Sequence, residues 1–199
     1  MPGEMLAGAR PTVASAILAA MPDPTAPHPR VRLRDITLAD ADLLDAWDAD
    51  RSEWNDFGMP HDPIDRDAIA RGPLRNERNG MMIIERVADG AAIGSVGWHR
   101  VMYGPNPQSA AYMVGIELAP DARGQGFGSE AQAQLAAFLF GTTDVHRVEA
   151  ATDIDNLAEQ RSLERAGFRR EGVLRGSQFR AGGWHDLVYY ALVRDDIEA

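Results

Sequence analysis

Ile116-Glu117-Leu118-Ala119-Pro120-Asp121-Ala122-Arg123-Gly124-Gln125-Gly126-Phe127-Gly128-Ser129 runs from an apolar strand into a glycine-rich turn, and an amphipathic helix follows it directly. Glycines at 124, 126 and 128 remove the Cβ atoms that would hold successive backbone N–H groups apart, and a helix starting near Ser129 points its positive end at the same spot. Arg123 adds a full positive charge. Downstream, Ala131, Leu135, Phe138 and Leu139 recur at the spacing of one helical face. The stretch therefore predicts an anion site, suited to a phosphate, on a rigid strand, turn and helix.

Three phosphate-binding patterns compete for these residues. A P-loop ends in Gly-Lys-Ser/Thr, and no such tripeptide occurs in the chain. A dinucleotide fingerprint starts correctly at Gly124 and Gly126 but meets Ser129 where its third glycine belongs. Glu149, about 20 residues on, stands where such a fold carries its ribose-binding acid. Only 50 residues follow Glu149, too few to complete a doubly wound domain. The pattern R-x-x-G-x-G fits as Arg123, Gly126 and Gly128, and it resembles the pyrophosphate-binding signature of the GNAT N-acetyltransferases.

The resemblance covers roughly Val31 to Arg194. Val31-Arg32-Leu33-Arg34 followed by Thr37 to Trp47 resembles the first strand and helix of the Rim-type branch, which modifies protein N-termini and related amines. Asn156 through Gly167-Phe168, with Glu171-Gly172 after it, is similar to that branch's second cofactor helix and the strand beyond. Trp184-His185-Asp186 before an apolar strand completes the ordered set.

The resemblance implies an α/β (α+β mixed) GNAT fold: a central, mixed, mostly antiparallel twisted sheet flanked by helices, with its fourth and fifth strands splayed for acyl-CoA. Here those strands are Ala111–Leu118 and Arg147–Ala151. The pantetheine arm of acetyl-CoA is then expected along Ile116, Glu117 and Leu118, with a backbone N–H there supporting the oxyanion. Arg123, Gly124, Gln125, Gly126, Phe127, Gly128 and Ser129 form the expected pyrophosphate loop, and Asn156 and Arg161 the contacts from the next helix. Asn156 with Glu159 three residues on also suits a helix cap. No metal is implied.

An amine must lose a proton before it attacks, so a base is required. Glu117 is the first candidate and His99, ending an adjacent strand, the second; His185 reads instead as a hairpin residue. Three positions depart from the family pattern. Leu163 stands where many members carry a proton-donating tyrosine. Glu159 stands where some Rim-type members have serine, and Gln178 where some have a glutamate base. A protonated Glu159, or Ser162, is the available substitute acid. A non-catalytic acyl-CoA-binding module is the alternative these departures raise.

Composition narrows the class. At 199 residues and 45% hydrophobic content the chain suits one domain with one core, expected over 30–199. No segment reaches the roughly 18 apolar residues of a membrane span. With no cysteine, disulfides and a thiol nucleophile are excluded. A net charge of −10 argues against nucleic acid as partner and suits a cationic amine. Residues 1–29 form a proline-punctuated extension in which Val13, Ile17 and Met21 fall four apart, giving either a short amphipathic helix or a loose segment. A secretory reading of that extension is weak, and a cytoplasmic location with a monomeric or homodimeric state is expected.

Elsewhere, Thr37 and Asp40 predict a capped helix with Leu43, Leu44 and Trp47 inward and its acids in water. Met81–Arg86 and Ala92–Trp98 predict a hairpin through Ala88-Asp89-Gly90. Acceptor selection is expected from the first helix region and the final hairpin. Trp47, Trp54, Phe57, Phe179 and Trp184 there read mainly as core, and Asp45, Asp48, Asp50, Glu53 and Asp56 as a solvated face able to meet a cation. A peptide N-terminus, an aminoglycoside, a polyamine or another small amine remain open as acceptor, and a bulkier acyl group such as succinyl as donor.

Overall fold

The Ala88-Asp89-Gly90 turn closes as its residues dictate, with Arg86 Nη2 on the Asp89 carboxylate at 2.7 Å. It joins β2 (Asn79–Arg86) to β3 (Ala92–Met102) in antiparallel register. The computed structural model describes residues 28–49 and 64–198. Its remaining strands are β1 (Val31–Arg34), β4 (Ala110–Leu118), β5 (Arg147–Asp153), β6 (Arg169–Arg180) and β7 (Gly183–Val193). All seven form one sheet in the order β1-β2-β3-β4-β5-β7-β6.

One contact in this sheet is parallel, β4 against β5, and it is short. Ala111, Tyr112 and Met113 pair with Arg147, Val148 and Glu149, and there the pairing stops. Val114 to Leu118 stay on β3, and Ala150 to Asp153 stay on β7. The fourth and fifth strands therefore splay apart towards their C-terminal ends, as the sequence led one to expect. Ala119 N–H bonds to Ile93 O in β3 at 2.9 Å. Alternation along an antiparallel strand then turns the N–H and C=O groups of Ile116 and Leu118 away from β3 and into the gap.

The long helix α3 (Phe127–Thr142) covers one face of the sheet. Ala131, Leu135 and Leu139 are buried in the main core with Val148, Leu163 and Tyr190. Beside α3 lies α4 (Leu157–Arg165). The other face holds a smaller core, in which Ile36, Ala41, Leu44, Ile69 and Ile83 meet. It is roofed by α1 (Ala41–Ala49) and α2 (Arg66–Arg71). A final helix, α5 (Arg194–Glu198), follows β7.

Two details differ from the sequence expectation for the first helix. Leu43 is exposed, so of the three expected apolar residues Leu44 and Trp47 turn inward, beside Ala41. Asp40 is buried rather than solvated: Arg34 grips both its oxygens at 2.7 Å. Its carboxyl is held down to about 2, first by that bond to Arg34 and also by bonds from Thr37. The Asp40 side chain also receives the Thr37 N–H, so one residue both starts the helix and ties it to β1. The readings for Val13, Ile17, Met21, Trp54, Phe57, Asp50, Glu53 and Asp56, and for the Asp48 side chain, lie outside the described residues.

Candidate functional site

The glycine-rich stretch takes the backbone that its residues allow. Gly124 has φ 72° and Gly126 φ 82°, left-handed values that cost glycine little and other residues about 1–3 kcal/mol. These two turns bring the chain into α3 at Phe127, two residues earlier than the apolar period suggested. The first-turn N–H groups of α3 have no partner within the helix and face the same hollow.

The loop is braced from below. Arg30 Nη1 donates to Gln125 O at 2.9 Å, and its guanidinium lies 5.2 Å over the Phe127 ring. Glu130 accepts the Arg30 and Val31 N–H groups at 2.6 and 3.1 Å, tying the first turn of α3 to the start of β1. The Phe127 side chain is thus core, and only its backbone remains for a ligand. Gln125 points back to Asp121 O, outside the hollow.

A cavity of about 660 Å³ runs from this loop along the β4–β5 gap to α4. Ile116, Glu117, Leu118, Arg123, Gly124, Gly126, Gly128, Ser129, Asn156, Glu159 and Arg161 line it, which gathers most of the residues singled out in the sequence. Arg123 Nε donates to Leu118 O at 3.0 Å, anchoring its charge at the mouth of the gap. A Cβ on Gly128 would come within 3.1 Å of Ser162 Oγ, so that glycine keeps the floor clear. Asn156 accepts the Glu159 N–H at 3.1 Å, the cap role read from its spacing, while also lining the cavity.

Ala158, Ser162 and Arg165 complete the wall, and Gln132 stands behind it. Gln132 is almost fully buried on α3; it donates to Glu159 Oε1 and accepts from Ser162 Oγ at 2.9 Å. Its signal was available, since a glutamine sits on the same helical stripe as Leu135, Ala136 and Leu139. Burial pushes the Glu159 carboxyl up to about 7, against the bond from Gln132. Leu163, one turn on, is wholly buried, which accounts for an apolar residue at that position.

A second cavity, about 380 Å³, lies on the opposite face of the sheet and shares Ile116 and Glu117 with the first. Ser95, Gly97, His99, Met113 and Gly115 line it. His99 and Glu117 therefore share this cavity, but they stand four rungs apart, His99 opposite Met113 and Glu117 opposite Ser95. Four residues along a strand span about 13 Å. Here β3 continues past His99 to Met102, so His99 is mid-strand rather than at its end.

The dinucleotide alternative fails at Glu149. That residue is wholly buried, and Tyr103 Oη and Arg147 Nε occupy its carboxylate at 2.8 and 2.6 Å. Phe179 and Trp184, expected as core, are instead an exposed edge-to-face pair 5.3 Å apart at the β6–β7 hairpin. His185 is a hairpin residue, opposite Gln178, with Asp153 3.5 Å away.

The family description "Acetyltransferase (GNAT) domain" matches residues 30–169. The chain belongs to the GNAT acetyltransferase family. Among its relatives is the uncharacterized N-acetyltransferase YoaA of Bacillus subtilis (strain 168), 28% identical over 83% of this chain and 94% of that protein. Two solved structures share the GNAT fold. Mycobacterium smegmatis RimJ in complex with CoA-disulfide superposes with TM-score 0.69 at 24% identity, covering 85% of this chain and 84% of that one. Spermidine N-acetyltransferase from Vibrio cholerae, in complex with CoA and spermine, gives 0.68 at 16% identity, covering 85% and 99%.

As a GNAT enzyme the chain has a loop whose integrity can be tested through ligand binding. Replacing Gly126 with valine forces a β-branched residue to φ 82° and against Arg30 Nη2 at 3.1 Å. Strain of about 1–3 kcal/mol in the loop is expected to weaken CoA about tenfold or more. The check is the rise in thermal midpoint at a fixed CoA concentration, which should shrink in the variant.

Proposed function

We propose that this protein transfers an acetyl group from acetyl-CoA to a primary amine by direct attack while both substrates are bound. The observation that carries the reading is the meeting of the two cavities at Ile116 and Glu117. One ends on the glycine loop and the N-terminus of α3; the other opens on the opposite face of the sheet. A thioester lying in the gap thus has a donor channel on one side and an acceptor channel on the other.

The pyrophosphate of acetyl-CoA fits the amides of Gly124 to Ser129, with Arg123 beside them, and the pantetheine amides fit the gap-facing N–H and C=O groups of β4. The N–H of Ile116 or Leu118 is placed to stabilise negative charge on the thioester oxygen. Glu117 takes the proton from the ammonium, directly or through a water. The amine nitrogen then bonds to the carbonyl carbon; as the carbon–sulfur bond breaks, the nitrogen gives its second proton to water and the sulfur takes a proton from Glu159, and solvent then removes the proton from Glu117 and returns one to Glu159. Gln132 Nε2 occupies Oε1 of Glu159, so in the acid form the proton sits on Oε2. Asn156 and Arg161 hold the cofactor arm from α4. The similarity to RimJ supports the Rim-type branch, and with it a peptide N-terminus among the acceptors.

Thermal unfolding with acetyl-CoA, succinyl-CoA, CoA and NADH, followed by thiol release with a panel of amines, tests the reading. A rise with the CoA species and none with NADH is expected, then amine-dependent thiol release. Larger stabilisation by succinyl-CoA would reassign the acyl group, and no rise with any CoA would overturn the proposal.

The Glu159 proton gives a pH signature. A carboxyl titrating near 7 in the folded protein is protonated below that value and ionised above it. Loss of the acid form should therefore lower kcat as pH rises through about 7. In Glu159→Gln that alkaline fall should disappear along with part of the rate. The same residue makes the unliganded protein less stable as pH rises from the ordinary carboxylate range through 7, because the folded state must then ionise a buried group.

A further inference from the structure

The glycines of the donor loop leave the direction of one peptide open. Gly126 sits at φ 82° and ψ 3°, the dihedrals of the third residue in a type II turn. The type I form of such a turn puts that residue at φ of about −90°, and the two forms differ chiefly in which way the middle peptide faces. Here the middle peptide is the one between Gln125 and Gly126. Glycine takes either sign of φ with similar ease, so these two residues by themselves do not choose. At an anion site the choice decides the sign of the interaction. A peptide is planar and trans, so its N–H and C=O point in opposite directions: one orientation offers the anion a donor, the other a carbonyl oxygen.

Arg30 makes the choice in this fold. Its Nη1 donates to Gln125 O at 2.9 Å and holds that carbonyl on its own side of the loop. Gly126 lines the donor cavity, whereas neither Gln125 nor Arg30 does. The Gly126 N–H, opposed to the held carbonyl, therefore faces the cavity, and no described backbone carbonyl accepts it. The guanidinium is itself fixed. Its Nε donates to Glu130 Oε2 at 3.3 Å, the Arg30 N–H donates to Glu130 Oε1 at 2.6 Å, and the planar head lies 5.2 Å over the Phe127 ring. Glu130 and Phe127 both belong to the first turn of α3, so Arg30 is referenced to the helix end whose amides complete the anion site. A lysine ammonium has no flat fork to serve Glu130 and Gln125 together while lying on a ring.

We infer that Arg30 is a positioning residue of the donor site, a latch that keeps the Gln125–Gly126 peptide with its N–H towards the donor phosphate and its carbonyl away. The inference rests on the acyl-transfer reading above, which puts the pyrophosphate on residues 124–129, and it adds how the loop is given its polarity. The Arg30 side chain stands behind the loop and is about half exposed, so its own charge is screened by water. What it contributes is the direction of one amide. Once the latch is lost the peptide turns over, and in its other orientation an oxygen meets the phosphate where a donor stood. The cofactor then binds only that fraction of molecules whose peptide faces the right way.

The variants are Arg30→Met, which keeps an apolar stem on Phe127 and removes the guanidinium donors, and Arg30→Lys, which keeps the charge. The acyl donors are acetyl-CoA and S-acetylpantetheine, which has the same thioester and no phosphate. Arg30→Met is expected to raise KM for acetyl-CoA about tenfold or more, the usual worth of a hydrogen bond to a charged group, with kcat at saturation changed by no more than about twofold. With S-acetylpantetheine the loss in kcat/KM should be far smaller. Arg30→Lys should recover only part of the loss with acetyl-CoA. The direct readout is the Gly126 amide, followed by nuclear magnetic resonance in protein carrying isotope-labelled glycine. Saturating CoA should move its proton downfield in wild type and much less in Arg30→Met. An equal loss with both donors, a wild-type KM in Arg30→Met, full recovery in Arg30→Lys, or a Gly126 amide that answers CoA alike in both proteins would each overturn the inference. Were Arg30→Met to lose its fold, the ratio of the two donors and the amide shift in Arg30→Lys carry the same decision. Failure of CoA to bind the wild type would instead overturn the acyl-transfer reading, and the Gly126 amide titrated with inorganic pyrophosphate would still decide the latch.

Discussion

Glu117→Gln is expected to lower kcat by about 10²–10⁴-fold, the usual worth of a positioned general base. KM for acetyl-CoA should stay unchanged, because the amide keeps the shape of the carboxylate and the pyrophosphate loop is untouched. The basis is positional. Alternation along β4 turns Ile116 and Leu118 towards α3, where both approach Gly128, and turns Glu117 to the opposite face. It is thus the carboxylate that lines both cavities, at the point where the proposed acyl transfer puts the thioester. Glu117→Asp should recover part of the rate, and in Glu117→Gln the alkaline fall set by Glu159 should stay. Steady-state thiol release across pH measures all of these. A Glu117→Gln variant with wild-type kcat would remove Glu117 from the proton path.

The second large effect concerns stability. Arg147 bridges two acids, Glu149 at 2.6 Å and Glu171 at 2.8 Å. Glu149 is entirely enclosed between β4 and β7, so its charge depends on that guanidinium and on the Tyr103 hydroxyl. In the same cluster the Tyr103 phenol is pushed up to about 12, by burial first and by its bond to Glu149 second. Arg147→Met leaves an enclosed carboxylate without its cation and should cost about 3–5 kcal/mol. For a chain of this size that is a fall of about 6–20 °C in midpoint. Arg147→Met combined with Glu149→Leu should regain much of the loss, since replacing a whole buried pair by apolar groups is often neutral or stabilising. Urea titration of the single and double variants gives the comparison. A single variant as stable as wild type would show that the carboxylate is not dependent on Arg147.

The parts of the fold readable in the sequence are those specified locally. The turn at Gly90, the cap at Thr37 and the glycine loop each follow from a few adjacent residues. The helical face of Ala131, Leu135 and Leu139 follows from one period. The strand β6 was harder to read because it is an edge. Arg169–Arg180 is mostly exposed and is broken by register shifts between Arg170 and Gly172 and between Leu174 and Gln178, so no alternation survives. The six residues of α2 are too few to show a period. Asp40 misled because its carboxylate looks solvated until Arg34, six residues earlier, is seen to grip it from β1.

The site divides the same way. Residues 116 to 129 and 156 to 161 announce one cavity because each set is contiguous. The other depends on which residue of β3 lies opposite which residue of β4, and spacing along a single strand does not carry that information. Gly97 and Gly115 face each other only in that register. Gln132 was visible as a polar residue on an apolar stripe, yet its partners Glu159 and Ser162 lie 27 and 30 residues further on, on α4, with the whole of β5 between.

The short β4–β5 contact also has a mechanical side. Three rungs hold β1 to β4 against β5 to β7, and beyond them the sheet is two leaves that α3 and α4 bridge from one face. The N–H and C=O groups of Ile116 and Leu118 look across the opening to no strand. A linear molecule with amides of its own, threaded there, would act as an eighth strand and stitch the leaves together. Under the proposed acyl transfer, turnover and the closing of this seam would be one event: each departure of the spent donor would reopen the sheet, and each fresh donor would finish building it.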